Sequence, residues 1–267
     1  MDKINLPTQL RDLICLDDVS YPSMGYSGDR VYLIKKGYLN KDIVIKCSSR
    51  YEVHKEGEIL KWLEGKIEVP KVYFNIEQEG VYYLVMEMLP GQMGQYGFKQ
   101  LGTKEMVVYY ANLIKKWHSI DYHNFLPVNT LEDKIAHVKY NVEHGLVKTQ
   151  YFERELQGKT GQMVYDLMIS CYPKSFDLVL CHGDVCMPNF MMENGHLTGW
   201  IDVVGCGVND RYLDIAIALR TLRYNFEWLN MTFSKEYQDL FLKTYGIQEL
   251  DMNKVKFYIC LDELTNG

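Results

Sequence analysis

Cys181-His182-Gly183-Asp184-Val185-Cys186-Met187-Pro188-Asn189 carries a carboxylate and, five residues after it, a side-chain amide; Trp200-Ile201-Asp202 adds a second carboxylate downstream. Phe176 to Cys181 reads as a short buried strand, and Gly183 permits the sharp backbone turn that should follow it. Phe190 to Glu193 and His196 to Asp202 read as two strands around Asn194-Gly195, a dipeptide that favours a type I′ hairpin turn. Such a hairpin brings its open ends together, and those ends carry Asn189 and Asp202. An amide oxygen beside a carboxylate is the kind of hard oxygen pair that Mg²⁺ takes as ligands.

Taken singly, each residue has an ordinary explanation, because an Asp in a Gly-containing loop commonly bonds its own backbone and makes a turn. The joint spacing carries the information. His-x-Asp-x-x-x-x-Asn with a later Asp matches the catalytic loop and metal site of the protein kinases, with Gly in place of Arg. Phosphoryl transfer asks little covalent chemistry of a protein: a carboxylate, metal ligands and a phosphate-gripping Lys are most of what it needs. His182 is better suited to anchor the loop by a hydrogen bond than to act as the base.

The N-terminal part offers the grip. Val31 to Lys35 and Asp42 to Cys47 read as a strand pair, preceded by Tyr26-Ser27-Gly28-Asp29-Arg30, a turn-rich loop suited to backbone contacts with phosphate. Lys46 ends the run Ile43-Val44-Ile45, where a cation is costly unless something anionic meets it. Glu56, in a helical pattern from Val53 to Trp62, is the expected partner, with Glu58 its close competitor. Lys71 to Glu77 and Val81 to Met88 should complete an antiparallel sheet. Thr103 to His118 is the clearest helix, with Met106, Tyr110, Leu113, Ile114 and Trp117 at core-packing spacing.

Together these motifs resemble the aminoglycoside phosphotransferases over nearly the whole chain. The resemblance is carried by Ser27-Gly28-Asp29, Trp62-Leu63-Glu64-Gly65, Cys181 to Asp184, Cys186 to Met191, Asp210-Arg211-Tyr212 with Asp214, and the terminal Leu261-Asp262 with Leu264-Thr265. Cys186 to Met191 and the tail look most like the streptomycin 3″-phosphotransferases. Trp62 to Lys66 and Leu261 to Leu264 also occur in the kanamycin 3′-phosphotransferases. The resemblance implies an α+β, two-lobed protein-kinase-like fold. Residues 1–88 would form an N-terminal nucleotide-binding lobe of antiparallel sheet plus helix, and 89–267 a mostly helical catalytic and substrate-binding lobe. It implies transfer of the γ-phosphate of ATP, or of GTP, with Mg²⁺, to an aminoglycoside hydroxyl, the streptomycin 3″ position first and the kanamycin 3′ position next. By position, Asp184 would be the base or orienter of the attacking hydroxyl and Asn189 and Asp202 the Mg²⁺ ligands. Lys46 would contact the α- and β-phosphates and Glu56 would hold Lys46. Ser27 would lie in the phosphate loop, and Met88, in the connector from Met86 to Gly91, would meet adenine. Asp214 would brace the catalytic loop. In place of the family's Asp-Leu-Gly-Arg stands Asp202-Val203-Val204-Gly205, and a β-branched Val tolerates positive φ poorly, so a different backbone path is expected there.

Charge fits a cationic substrate: 35 acidic against 29 basic residues give a net charge of -6, which attracts a polycation and disfavours nucleic acid. Asp262 and Glu263 sit at the end of a helical pattern from about Lys254, where the helix dipole disfavours carboxylates, so they are the candidate substrate contacts. No apolar run approaches the ~18 residues that a membrane helix needs. The start lacks an apolar signal-peptide core, so a cytoplasmic protein is expected. The 7 Cys show no paired spacing of a zinc site and are expected as reduced thiols. A kinase of the same fold acting on choline, homoserine or a sugar is the alternative. A pseudokinase is disfavoured, because Lys46, Asp184 and Asp202 are all in place.

Overall fold

In the computed structural model, the described residues are 6–22, 29–126 and 128–265. The first elements along the chain are α1 (Thr8–Arg11), β1 (Val19–Ser20), β2 (Arg30–Tyr38), β3 (Lys41–Ser48), α2 (Glu52–Leu63), β4 (Val72–Gln78), β5 (Val81–Glu87) and β6 (Gln92–Met93). Then follow α3 (Gly97–Leu101), α4 (Thr103–His118), α5 (Leu131–Glu143), α6 (Gly161–Ser170), β7 (Leu178–Cys181), β8 (Phe190–Glu193), β9 (His196–Trp200) and β10 (Gly207–Asp210). Helices α7 (Tyr212–Trp228), α8 (Lys235–Tyr245) and α9 (Met252–Thr265) complete it.

The chain divides into two compact units. The first takes the described residues of Met1–Gln92 together with Met191–Val204; the second takes Met93–Phe190 and Gly205–Gly267. In the first, an antiparallel sheet runs in the order β1-β2-β3-β5-β4. Alternation along β3 buries Ile43, Ile45 and Cys47 on one face, where they join Tyr32, Ile34, Tyr83 and Val85 with Leu6, Leu10 and Ile14. Lys46 therefore faces the other way. Helix α2 buries Val53, Ile59, Leu60 and Leu63 and packs against β3, β4 and β5. The β8–β9 hairpin has φ of 52° at Asn194 and 78° at Gly195, the pair of positive values that a type I′ turn requires. Its tie to the first unit is direct: the Thr198 hydroxyl donates to the Pro90 carbonyl at 2.8 Å, and the Trp200 N–H to the Glu68 carbonyl at 2.8 Å.

The second unit is mostly helical. Helix α4 covers Thr103–His118 as its spacing predicts, with Met106, Tyr110, Ile114 and Trp117 fully buried. Helix α9 packs on α5, α6 and α7. Strand β7 begins at Leu178, two residues later than expected, because its ladder with β10 ends at the Leu178–Asp210 pair. Asp210 closes β10, and its carboxylate accepts the Tyr212 N–H at 2.9 Å where α7 starts.

Candidate active site

Each unit assembles its own group of charged side chains. In the first, the Lys46 ammonium donates to both Glu56 carboxylate oxygens at 2.8 Å and to Asp202 Oδ1 at 3.4 Å. Glu56, not Glu58, is the partner; Glu58 bonds Lys61 and Asn75 instead. Burial alone would push the Lys46 ammonium toward its neutral form, but the charges of Glu56 and Asp202 outweigh it and hold the amine well above its usual range. Lys46 is thus a fixed cation. Exposure grades the three side chains, at 15% for Lys46, 4% for Glu56 and 44% for Asp202, so Asp202 is the one open to a ligand.

The backbone around Asp202 resolves the Val-Val question. Positive φ, 57°, falls on Asp202 itself, and Val203–Gly205 form a single 3₁₀ turn in which no Val takes a left-handed conformation. Asp tolerates that region far better than a β-branched residue does. Ser27 lies outside the described residues. Its neighbour Asp29 is gripped by Arg50 in a two-pronged pair, Nε to Oδ1 at 3.1 Å and Nη2 to Oδ2 at 2.6 Å. Met88 is half-buried, with its N–H committed to the Asp42 carbonyl at 3.1 Å.

In the second unit, β7 delivers His182, Gly183 and Asp184. Gly183 has a φ of 86°, and a Cβ there would lie 2.2 Å from the Gly205 carbonyl oxygen, so only Gly fits this turn. Fully buried Asp214 shapes the loop: Oδ2 accepts the His182 N–H at 2.8 Å and Oδ1 the Gly183 N–H at 2.9 Å. His118 Nε2 donates to the same carboxylate at 2.9 Å, and its other nitrogen meets the Tyr245 hydroxyl at 2.6 Å. Burial raises the Asp214 pKa, yet the His118 hydrogen bond and charge more than offset this and leave it below the usual Asp value. His118, Asp214 and Cys181 offer ligand atoms within 4.8 Å of one another. All are committed, however, since the Cys181 thiol donates to backbone carbonyls of Asn209 and Asp210. His182 anchors the loop, its Nδ1 accepting the Asp184 N–H at 3.3 Å.

The Asp184 carboxylate is clamped at both oxygens. Oδ1 accepts the Cys186 N–H at 3.3 Å and Oδ2 the Asn189 Nδ2–H at 2.8 Å. Asn189 Nδ2 also reaches the Asp184 carbonyl at 3.1 Å, so the amide nitrogen is spent and its oxygen is the atom left for a cation. Asp262 and Glu263 share one guanidinium: Arg220 Nη2 meets Asp262 at 2.5 Å and Nη1 meets Glu263 at 2.9 Å. The other Glu263 oxygen accepts the Glu153 N–H at 3.0 Å, which leaves Asp262 the less encumbered of the two. Burial first, and the Asp184 charge next, push the Cys186 thiol well up.

Arg220 and Arg50 carry no motif in the sequence, and Asp29 stands there only as a member of the turn-rich loop before β2. Arg220 had a signal: a cation inside Ile215-Ala216-Ile217-Ala218-Leu219-Arg220, an apolar stretch of helix, demands a buried anionic partner. In the first unit a fixed cation at Lys46 lies beside the open Asp202 carboxylate, and in the second the Asn189 amide offers an oxygen; each is a donor type that a polyphosphate or a hard metal ion takes as a partner.

Comparison with known proteins gives these groups a context. Residues 18–258 match the phosphotransferase enzyme family. An aminoglycoside 3′-phosphotransferase of Niallia circulans is 35% identical over 262 residues, spanning 97% of this chain and 97% of that protein. The chain belongs to the aminoglycoside phosphotransferase family. It is an enzyme, a kinase. A crystal structure of an aminoglycoside-3′-phosphotransferase of type VIII superposes with a TM-score of 0.80 at 27% identity, covering 92% of this chain and 93% of that one. The fold is also that of aminoglycoside phosphotransferase APH(3″)-Id from Streptomyces rimosus, with a TM-score of 0.78, 20% identity, and coverage of 94% and 93%. These phosphotransferases share the kinase-like α+β architecture expected from the sequence. No helix among the described residues is long and apolar enough to cross a membrane.

Proposed function

We propose that the enzyme transfers the γ-phosphate of ATP, with Mg²⁺, to the 3′-hydroxyl of a kanamycin-type aminoglycoside and so confers resistance. The observation that carries the chemistry is the clamped Asp184, held at both oxygens by Cys186 and Asn189 and with no ion pair to a cation among the described residues. The 3′ position is supported by the name of the relative that is 35% identical over 97% of the chain.

In this reading, residues 1–88 are the nucleotide-binding lobe and 89–267 the catalytic and substrate-binding lobe. Asp184 orients the attacking hydroxyl and accepts its proton. Lys46, held by Glu56, meets the α- and β-phosphates, and Ser27 is a further nucleotide contact. Met88, whose N–H is already bonded, offers adenine its carbonyl. Asn189 and Asp202 would hold Mg²⁺ through oxygen atoms. Bound there, the metal would neutralise charge on the phosphoryl group in transit. Asp262 faces the cationic sugar while Glu263 fixes the tail, and an acidic, cytoplasmic enzyme with neither membrane nor nucleic acid as partner completes the picture.

A second reading, the 3″-hydroxyl of streptomycin, is favoured by the run Cys186 to Met191. The Streptomyces rimosus protein has been solved with ADP and streptomycin. One assay separates them. Purified enzyme with Mg-ATP is offered kanamycin, streptomycin, choline and homoserine; ADP release is followed and the phosphorylated position is read by NMR. Kanamycin-dependent release with phosphate on the 3′ oxygen is expected. Turnover of streptomycin alone would replace the 3′ reading by the 3″ one, and turnover of choline or homoserine alone would overturn both.

A further inference from the structure

Helix α2 contains an oddity. Gly57 sits in its middle, where Gly costs about 1 kcal/mol relative to Ala. The space a Cβ would take is already filled: it would lie 2.4 Å from Asn75 Nδ2 and 2.5 Å from Asn75 Cγ. Asn75 comes from β4, the edge strand of the sheet. Its Nδ2 donates to the His54 carbonyl at 2.9 Å and to Glu58 Oε1 at 3.2 Å, bracketing Gly57 and Glu56 on the helix. Asn75 Oδ1 is buried with no hydrogen-bond partner among the described residues, an arrangement that costs roughly 1–3 kcal/mol. A Gly inside a helix and a buried amide with an idle oxygen are both unfavourable. They recur here as the two halves of one contact.

We propose that Asn75 is a positioning residue that locks α2 onto the sheet in the register that delivers Glu56 to Lys46, with Gly57 as the slot it occupies. Asn75 fixes the helix by a backbone carbonyl two residues before Glu56 and a side chain two residues after it, so neither rotation nor sliding of α2 leaves both bonds intact. The Lys46–Glu56 contacts of 2.8 Å depend on that register. This rests on the reading of Lys46 as the nucleotide grip.

The test measures Mg-ATP affinity by calorimetry, without an acceptor, and melting temperature in parallel. Asn75→Leu, Asn75→Ser and Gly57→Ala are compared in the wild-type and Glu56→Gln backgrounds. Asn75→Leu and Gly57→Ala should each weaken Mg-ATP binding about tenfold in the first background and add nothing in the second, as coupled residues do. Pairing Asn75→Ser with Gly57→Ala vacates the slot but leaves both amide bonds missing, so it should recover melting temperature while affinity stays low. A lowered melting temperature with unchanged affinity, or losses that add to that of Glu56→Gln, would overturn the lock. Should Asn75→Leu fail to fold, Asn75→Ser and Gly57→Ala carry the comparison. Acetic anhydride labelling of Lys46, mapped by mass spectrometry, judges the lock without nucleotide: faster labelling in Asn75→Leu supports it and an unchanged rate sinks it. If Glu56→Gln itself binds Mg-ATP normally, the nucleotide-grip reading falls, and the labelling result still decides the lock.

Discussion

The Lys46–Glu56–Asp202 group and the Arg220–Asp262–Glu263 group are built on one plan, a cation between two carboxylates, and they differ in what the cation is for. In both, one carboxylate is nearly buried and consumed: Glu56 at 4% exposure, Glu263 at 9%. The other is more open, Asp202 at 44% and Asp262 at 23%. Lys is a compact charge on a flexible stem and can turn toward a polyphosphate, whereas the planar Arg fork holds two neighbouring carboxylates in one geometry. The first group therefore presents a cation together with a metal-type carboxylate; the second uses its cation as scaffold and presents an anion. Which member is buried, rather than which charges are present, separates the two.

The sharpest break lies outside both groups. Asp184→Ala should lower kcat by about 10²–10⁴ while Mg-ATP still binds, so single-turnover rates near wild type would remove Asp184 from its role. Next comes the open carboxylate of the first group. Asp202→Asn, or chelation of Mg²⁺ in the wild type, should abolish the metal-dependent part of nucleotide affinity in a calorimetric titration; normal Mg-ATP binding in the mutant would move the metal elsewhere. The consumed carboxylates should behave differently. Glu56→Gln leaves a buried ammonium short of its main partner and is expected to lower unfolding stability in urea by on the order of 3 kcal/mol. Asp262→Asn should raise KM for the aminoglycoside about tenfold with ATP affinity unchanged, while Glu263→Gln should mainly lower the melting temperature. Equal effects of these last two on KM would erase the division of labour between them.

The smallest effect is on pH. Asp214 has a lowered pKa in the folded chain, so its contribution is complete above the ordinary Asp value of about 4 and is lost as pH falls through the lower folded value. The stability gap between wild type and Asp214→Asn should be widest near neutral pH and close in acid; a gap that is flat with pH would show that charge is not what braces the loop.

Much of this was legible because spacing encodes it. The strand, turn and hairpin around Asp184, the helix Thr103–His118 and the Lys46–Glu56 pair follow from periodicity and from the need of a buried cation for an anion. What stayed hidden depends on contacts between distant segments. Gly207-Val208-Asn209-Asp210 has the composition of a loop and becomes β10 because β7 supplies a ladder for it. The apolar surroundings of Arg220 demand a partner without naming it, and the dipole argument for Asp262 and Glu263 points to their charge without revealing that their own chain already answers it. Asn75 and Gly57 carry no local pattern at all, since a slot and its occupant sit on different elements.

The tight turn at Asn194-Gly195 also sets a rule for how this enzyme can drift. Successive residues of a strand point to opposite faces, so one residue gained or lost in β9 would turn Trp200 outward and swing Asp202 to the wrong side of the ribbon. Length changes between the turn and Asp202 should survive antibiotic selection only in even steps.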